Sequence, residues 1–131
     1  MRGELLEAEL VHDIVGAFFT VYNYFGYGLS EGVYADALEI ELQDRGHKVV
    51  RELRVPITYK RRHVRWQRID FVVDDKVIVE NKAGPVLLQR DHDQTITYIR
   101  VTTFEVGLLL HFGPSPKFYR YIDWPKRKKF A

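Results

Sequence analysis

Arg68-Ile69-Asp70-Phe71-Val72-Val73-Asp74-Asp75-Lys76-Val77-Ile78-Val79-Glu80-Asn81-Lys82-Ala83 is the stretch on which the fold turns. It is two β-branched runs reversing at one short acidic turn, the pattern of an antiparallel strand pair. Side chains on a strand repeat with period two, so Glu80 and Lys82 share a face while Asn81 points away with Val77 and Val79. The place of Asp70 depends on the turn. If Asp74-Asp75 forms a two-residue loop, Asp70 meets Val79 and its carboxylate lies on the other side of the sheet from Glu80. If the loop is Asp74-Asp75-Lys76, Asp70 falls opposite Glu80 and Arg68 opposite Lys82, all on one face. No glycine stands at the turn to decide. Chemistry shared by the two acids requires the longer loop or an equivalent bulge.

Two carboxylates about 5 Å apart on neighbouring strands repel one another unless a cation or a proton lies between them. Hard oxygen ligands favour Mg²⁺ or Mn²⁺. A lysine beside such an ion can steer a nucleophile or stabilise developing negative charge, which is the logic of phosphodiester hydrolysis. The competing reading of the same residues is a surface ion pair between Glu80 and Arg68 across the strands.

Outward from this pair, the segment from Val49 to Ala83 reads as three antiparallel strands, with a break at Lys60-Arg61-Arg62-His63. Before it, apolar residues at Leu6, Leu10, Ile14 and Phe18, and at Val11, Val15, Phe19 and Tyr22, predict a helix from about Gly3 to Phe25. Gly26-Tyr27-Gly28 breaks it. Ser30 caps a second helix with Val33, Ala37, Ile40 and Leu42 inward, ending at Gly46. After the strands, Pro85 near a first turn predicts a helix to about Thr102. Phe104 to Phe112 is a strand buried on both faces, and Lys117 to Ile122 a last strand. The expectation is an α/β fold of the α+β kind, with two N-terminal helices and a central mixed sheet of about five strands joined by a crossover helix. One domain over residues 1–131 suits the length, with a basic tail over residues 124–131.

Composition narrows the function classes. The chain is 46% hydrophobic and 29% charged, a globular profile, and has no cysteine, which excludes a disulfide framework, a Cys-based zinc site and a thiol nucleophile. No signal-peptide layout and no apolar run long enough to span a membrane is visible, so a cytoplasmic protein is expected. Net charge is only +2, but the sign is segregated. Up to Asp44 the charges are acidic except Arg2; from Arg45 to Arg68, nine Lys and Arg are opposed only by Glu52. Lys60, Arg61, Arg62, Arg65 and Arg68 form a surface that a phosphate backbone would favour.

Gly28-Leu29-Ser30-Glu31-Gly32-Val33-Tyr34 reads as G-x-x-E-x-x-Y. With it, the order of Asp70, Glu80-x-Lys82, Gln94, Tyr98 and Phe112-Gly113 resembles the GxxExxY protein family, a branch of the PD-(D/E)XK nuclease-like superfamily. The resemblance runs from about Leu10 to Ile122 and implies a restriction-endonuclease-like core. It implies Asp70, Glu80 and Glu31 as metal ligands and Lys82 as the catalytic cation. Gln94, Tyr98 and Tyr34 would line the substrate. Ile69 stands where the superfamily name has proline, and Asp91 and His111 stand where His and Asn are expected. The implied activity is metal-dependent hydrolysis of DNA or RNA, the alternative a catalytically silent nucleic-acid-binding or protein-interaction module. A homodimer is the expected way for so small a chain to span a duplex.

Overall fold

The structure is a computed structural model and describes residues 6–126; the start of the first predicted helix and most of the basic tail lie outside them. Helix α1 (Ala8–Phe25) buries Val11, Ile14, Ala17, Phe18 and Val21, a stripe at helical spacing. The chain then turns through Gly28, whose φ of 115° is closed to residues with a Cβ. Ser30 occupies the N-cap of helix α2 (Glu31–Asp44) without a side-chain bond to the helix.

The buried stripe of α2 is Tyr34, Ala35, Leu38 and Leu42, while Val33 and Ile40 are exposed. The buried face is therefore rotated by about one residue from the expected inward set. The cause is Tyr34, whose fully buried ring stacks on Phe112 at 4.3 Å and sets which side of α2 faces the sheet.

Five strands follow, β1 (Val49–Tyr59), β2 (Arg62–Val73), β3 (Val77–Ala83), β4 (Val106–Phe112) and β5 (Pro116–Ile122), paired in that order in one sheet. All neighbours are antiparallel except β3 and β4, which are parallel and need the crossover that helix α3 (Gln89–Arg100) supplies. Helix α3 begins later than Pro85 because the Asp91 carboxylate accepts the Leu88 N–H at 2.9 Å and fixes the first turn there. Every residue of β4 is buried, as expected of a central strand covered on both faces.

The two faces carry two cores. On one, α1 and α2 pack against Phe71, Val73, Val77, Val79, Val106, Leu108, Leu110 and Phe112. On the other, Tyr98 and Ile99 of α3 pack against Ile69, Val72 and Ile78. The acidic helices and the start of the basic segment neutralise each other: Arg45 pairs with Asp13 and Glu41, and Arg51 with Asp36 and Glu39. Part of the charge segregation seen along the chain is thus used up in holding helices to sheet.

Candidate active site

The β2–β3 turn settles the register. Val73 pairs with Val77, Val72 with Ile78 and Phe71 with Val79, leaving Asp74-Asp75-Lys76 as the loop and placing Asp70 across from Glu80. Asp74 and Asp75 both adopt left-handed backbone, at φ 54° and 56°, which aspartate tolerates better than most residues. Asp74 is held there by its neighbours. Its carboxylate takes the Lys48 N–H at 2.8 Å and contacts the His47 ring at 2.7 Å.

Regular pairing of β2 and β3 stops just before Asp70, and side chains take over. The Glu80 carboxylate accepts the Asp70 N–H at 2.9 Å, and the Asp70 carboxylate accepts the Asn81 N–H at 3.3 Å. Each acid therefore grips the opposite strand's backbone where the strands part. The Glu31 carboxylate, delivered by the turn at Gly28, accepts the Ala83 N–H at 3.2 Å. Lys82 faces α3, its Nζ 3.9 Å from Asp91.

A change of phase at Asp70 alters the expected face assignments. Gln67 and Ile69 reach the α3 side, as does Val72, whereas Phe71 lies on the α1–α2 side. On β1, Arg51 contacts Phe71 and α2, while Leu53 packs on the α3 side, with Glu52 between them at φ 54°. Both strands slip together, so their register survives. Arg68 is consequently turned away from Lys82, and neither the expected Arg68–Lys82 neighbourhood nor the competing Glu80–Arg68 ion pair forms. Arg68 instead lies 3.7 Å from Glu52. With Glu31, Asp70, Arg51 and Asn81, Arg68 lines a cavity of about 200 Å³ on the α2 side.

Electrostatics concentrate at Glu80, which is only 2% exposed. Burial pushes its carboxyl up to about 8, and the negative charges of Asp70 and Glu31 act in the same direction against Lys82. Tyr98 is pushed up to about 12 by burial and by Glu80 and Asp70. Its hydroxyl accepts bonds from Gln94 at 2.5 Å and Gln67 at 3.1 Å. Beside Asp70, the buried Asn81 amide has neither its donor nor its acceptor satisfied among the described residues, an exception that a bound ion or water would account for. A divalent cation fits this donor set: hard oxygens, excess negative charge and an unpaired amide. Among the described residues the acids are not drawn together into a preformed three-ligand cluster, because each is engaged with a backbone N–H.

The other expected residues fall in different places. Tyr34 does not line a substrate space. Its hydroxyl donates to the Gly26 carbonyl at 2.5 Å and accepts the Leu29 N–H at 3.2 Å, so it clamps the turn that delivers Glu31. Lys60, Arg61, Arg62 and Arg65 are exposed, farther out on the β1–β2 ribbon than Arg68. Two residues escaped sequence reasoning. Gln67 sits 31 positions from Tyr98 inside a basic run, with no local signal of its role. Asn81 occupies the middle of the Glu-x-Lys pattern, where any residue is expected.

The model of the PD-(D/E)XK nuclease superfamily matches residues 8–121, which span both helices, the parted strands with Asp70 and Glu80, and α3. The chain belongs to the PD-(D/E)XK nuclease superfamily. No curated protein and no solved structure matches it. Membership makes this a nuclease-like protein of a superfamily whose nucleases generally use divalent metals and nucleic-acid substrates. No helix among the described residues is long and apolar enough to cross a membrane.

Proposed function

We propose that this PD-(D/E)XK protein is a metal-dependent nuclease of the GxxExxY branch, hydrolysing phosphodiester bonds in DNA or RNA. The observation that carries the reading is the interlock of Asp70 and Glu80 across the parting strands, with Glu31 reaching in from α2 and Lys82 two residues from Glu80. Asp70, Glu80 and Glu31 are the ligands for Mg²⁺ or Mn²⁺. When bound, such an ion polarises a phosphoryl oxygen and lowers the pKa of a water.

The chain's own groups do the rest. Lys82 offers positive charge to the phosphate as negative charge develops. The Tyr98 hydroxyl already accepts from Gln94 and Gln67, and its raised pKa keeps its proton, so it donates to a phosphate oxygen. Lys60, Arg61, Arg62 and Arg65 have no carboxylate partner within 4 Å among the described residues, and they bind backbone phosphates.

A catalytically silent binding module is the second reading, favoured by one observation: each acid is engaged with a backbone N–H rather than drawn into a cluster. Charge separates the two. Without metal, an ionised carboxylate repels a phosphate about 5 Å away by roughly 3 kcal/mol at an effective dielectric near 20. Asp70→Asn removes one such charge, so in chelator it binds oligonucleotide at least as tightly as the parent while cleaving nothing in Mg²⁺. Lys82→Ala loses cleavage and also binds more weakly. Equal binding by all three proteins with and without Mg²⁺ would remove nucleic acid from this site.

A further inference from the structure

Among the described residues, no other strand lies beside β1 and β2 beyond Ile69. Their pairing runs from Val49–Val73 out to Tyr59–Arg62, whereas β3 pairs with β2 only as far as Phe71. The outer half is a two-stranded ribbon, closed by Lys60 and Arg61 in left-handed backbone at φ 50° and 65°. An isolated ribbon of this kind gains little stability from itself.

Its composition is unlike the rest of the molecule. Between Leu53 and Ile69 there is no acidic residue, and Arg54, Lys60, Arg61, Arg62, Arg65 and Arg68 are all present. Large apolar groups are nonetheless left open: Tyr59 is 65% exposed, Val64 59% and Trp66 50%. Cations and an imidazole lie against the rings. The Arg54 guanidinium is 5.1 Å from the Trp66 ring, the Lys60 ammonium 5.3 Å from the Tyr59 ring, and the His63 ring 4.9 Å from Trp66. Pairing runs Arg54 to Arg68 and Pro56 to Trp66, so these four residues occupy one face. That face is continuous with the cavity, because Arg68 lines it together with Asp70 and Glu31. At roughly 3.3 Å per residue, Trp66 stands about 13 Å along β2 from Asp70.

We propose that this ribbon face is a binding track for single-stranded nucleic acid, with a base stacked on Trp66 and the adjoining phosphates on Arg54 and Arg68. The inference rests on the nucleic-acid substrate proposed above and adds its strandedness. Cations interleaved with exposed rings are what an unpaired strand requires, since each base offers a π-face and each linkage a charge. A two-stranded ribbon also fits the major groove of a duplex, but there the base faces are stacked on one another and an exposed indole has none to meet. A second copy docked through the same face would bring arginine against arginine.

The test uses the full chain in chelator, with an oligo-dT strand and a hairpin duplex of equal length as probes. Trp66 and Trp124 are the only tryptophans, so Trp124→Phe makes Trp66 the reporter. The expected results are quenching of Trp66 by oligo-dT and not by duplex, and loss of about ten-fold or more in oligo-dT affinity in Trp66→Leu. Trp66→Phe, which keeps a ring, restores most of it, and duplex affinity is unchanged in both. Thermal unfolding equal to the parent's shows that the half-exposed site tolerates each change. Equal loss for both probes, or no loss for oligo-dT, overturns the stacking track while leaving a nucleic-acid substrate in place. A parent that binds neither probe overturns both readings. A fall from dimer to monomer in Trp66→Leu assigns the face to self-association and overturns the proposal.

Discussion

Replacing Glu80 with glutamine should stabilise the metal-free protein. Glu80 is 2% exposed and shares its surroundings with the charges of Asp70 and Glu31, and its carboxyl is pushed from an ordinary 4.5 up to about 8. The folded chain therefore holds a proton that the unfolded chain releases, and linkage makes stability fall as pH rises between those values. At about 1.4 kcal/mol per factor of ten in proton affinity, keeping Glu80 protonated costs the fold about 3 kcal/mol at pH 7, and ionising it costs about 5 kcal/mol above pH 9. The amide in Glu80→Gln avoids that cost, and its carbonyl can still accept the Asp70 N–H. Urea unfolding in chelator at pH 5, 7 and 9 should show Glu80→Gln the more stable by a margin that grows with pH, near 3 kcal/mol at pH 7, or roughly 10 °C in melting temperature. Added Mg²⁺ should stabilise the parent and not the variant, because a ligand bound only by the folded state stabilises it by mass action. A variant no more stable than the parent at pH 7, with a difference that does not change between pH 5 and 9, would refute the argument that unrelieved charge gathers at Glu80.

Three further outcomes follow from other parts of the structure. His47 lies between Asp13 and Asp74, and the Asp13 contact foremost, against burial, raises its pKa; its contribution to stability is full below the unfolded value near 6.5 and is lost as pH rises through the higher folded value. The His47 bond lowers Asp13, and with the Lys48 N–H it outweighs burial at Asp74, so their contributions are lost as pH falls through their depressed values, and the stability difference between parent and His47→Gln, followed by urea unfolding from pH 3 to 9, should shrink at both ends. Arg61→Ala with Arg62→Ala should flatten the log-affinity against log-salt plot by about 0.7 per lost contact for a single strand, measured by fluorescence anisotropy; an unchanged slope assigns both residues to solubility. Tyr34→Phe, which removes the clamp on the Gly26–Leu29 turn, should cost about 1 to 2 kcal/mol in urea unfolding and lower any metal affinity through Glu31.

The order of elements was legible because each rests on a local period or a local breaker. Helical stripes, β-branched runs and the Gly-Pro stops need no knowledge of the rest of the chain. The register of the β2–β3 turn was not fixed by local signals. Asp74 is held in left-handed backbone by His47 and Lys48, 27 and 26 positions away, and no turn residue announces it. The phase change at Asp70 was invisible for a similar reason. Glu52 takes a positive φ with nothing in its side chain to favour it, and the slip moves Arg68 off the face that strict alternation assigns. Helix α2 misled because its apolar residues surround it, so the stacking of Tyr34 on Phe112 decides which side is buried. As candidates, the acids and Lys82 could be picked out by their spacing and the family pattern. Gln67 and Asn81 could not, because their surroundings come from pairing between strands and from α3.

Metal-dependent catalysis at Asp70 is tested by a cleavage assay of the parent and Asp70→Asn on single- and double-stranded DNA and RNA, each in Mg²⁺, in Mn²⁺ and in chelator. If that catalysis operates, the parent cuts at least one of these substrates with metal and none in chelator, and Asp70→Asn, folded and still able to bind, cuts none. Cleavage by Asp70→Asn at the parent's rate, or no cleavage by the parent of any substrate with either metal, would contradict it.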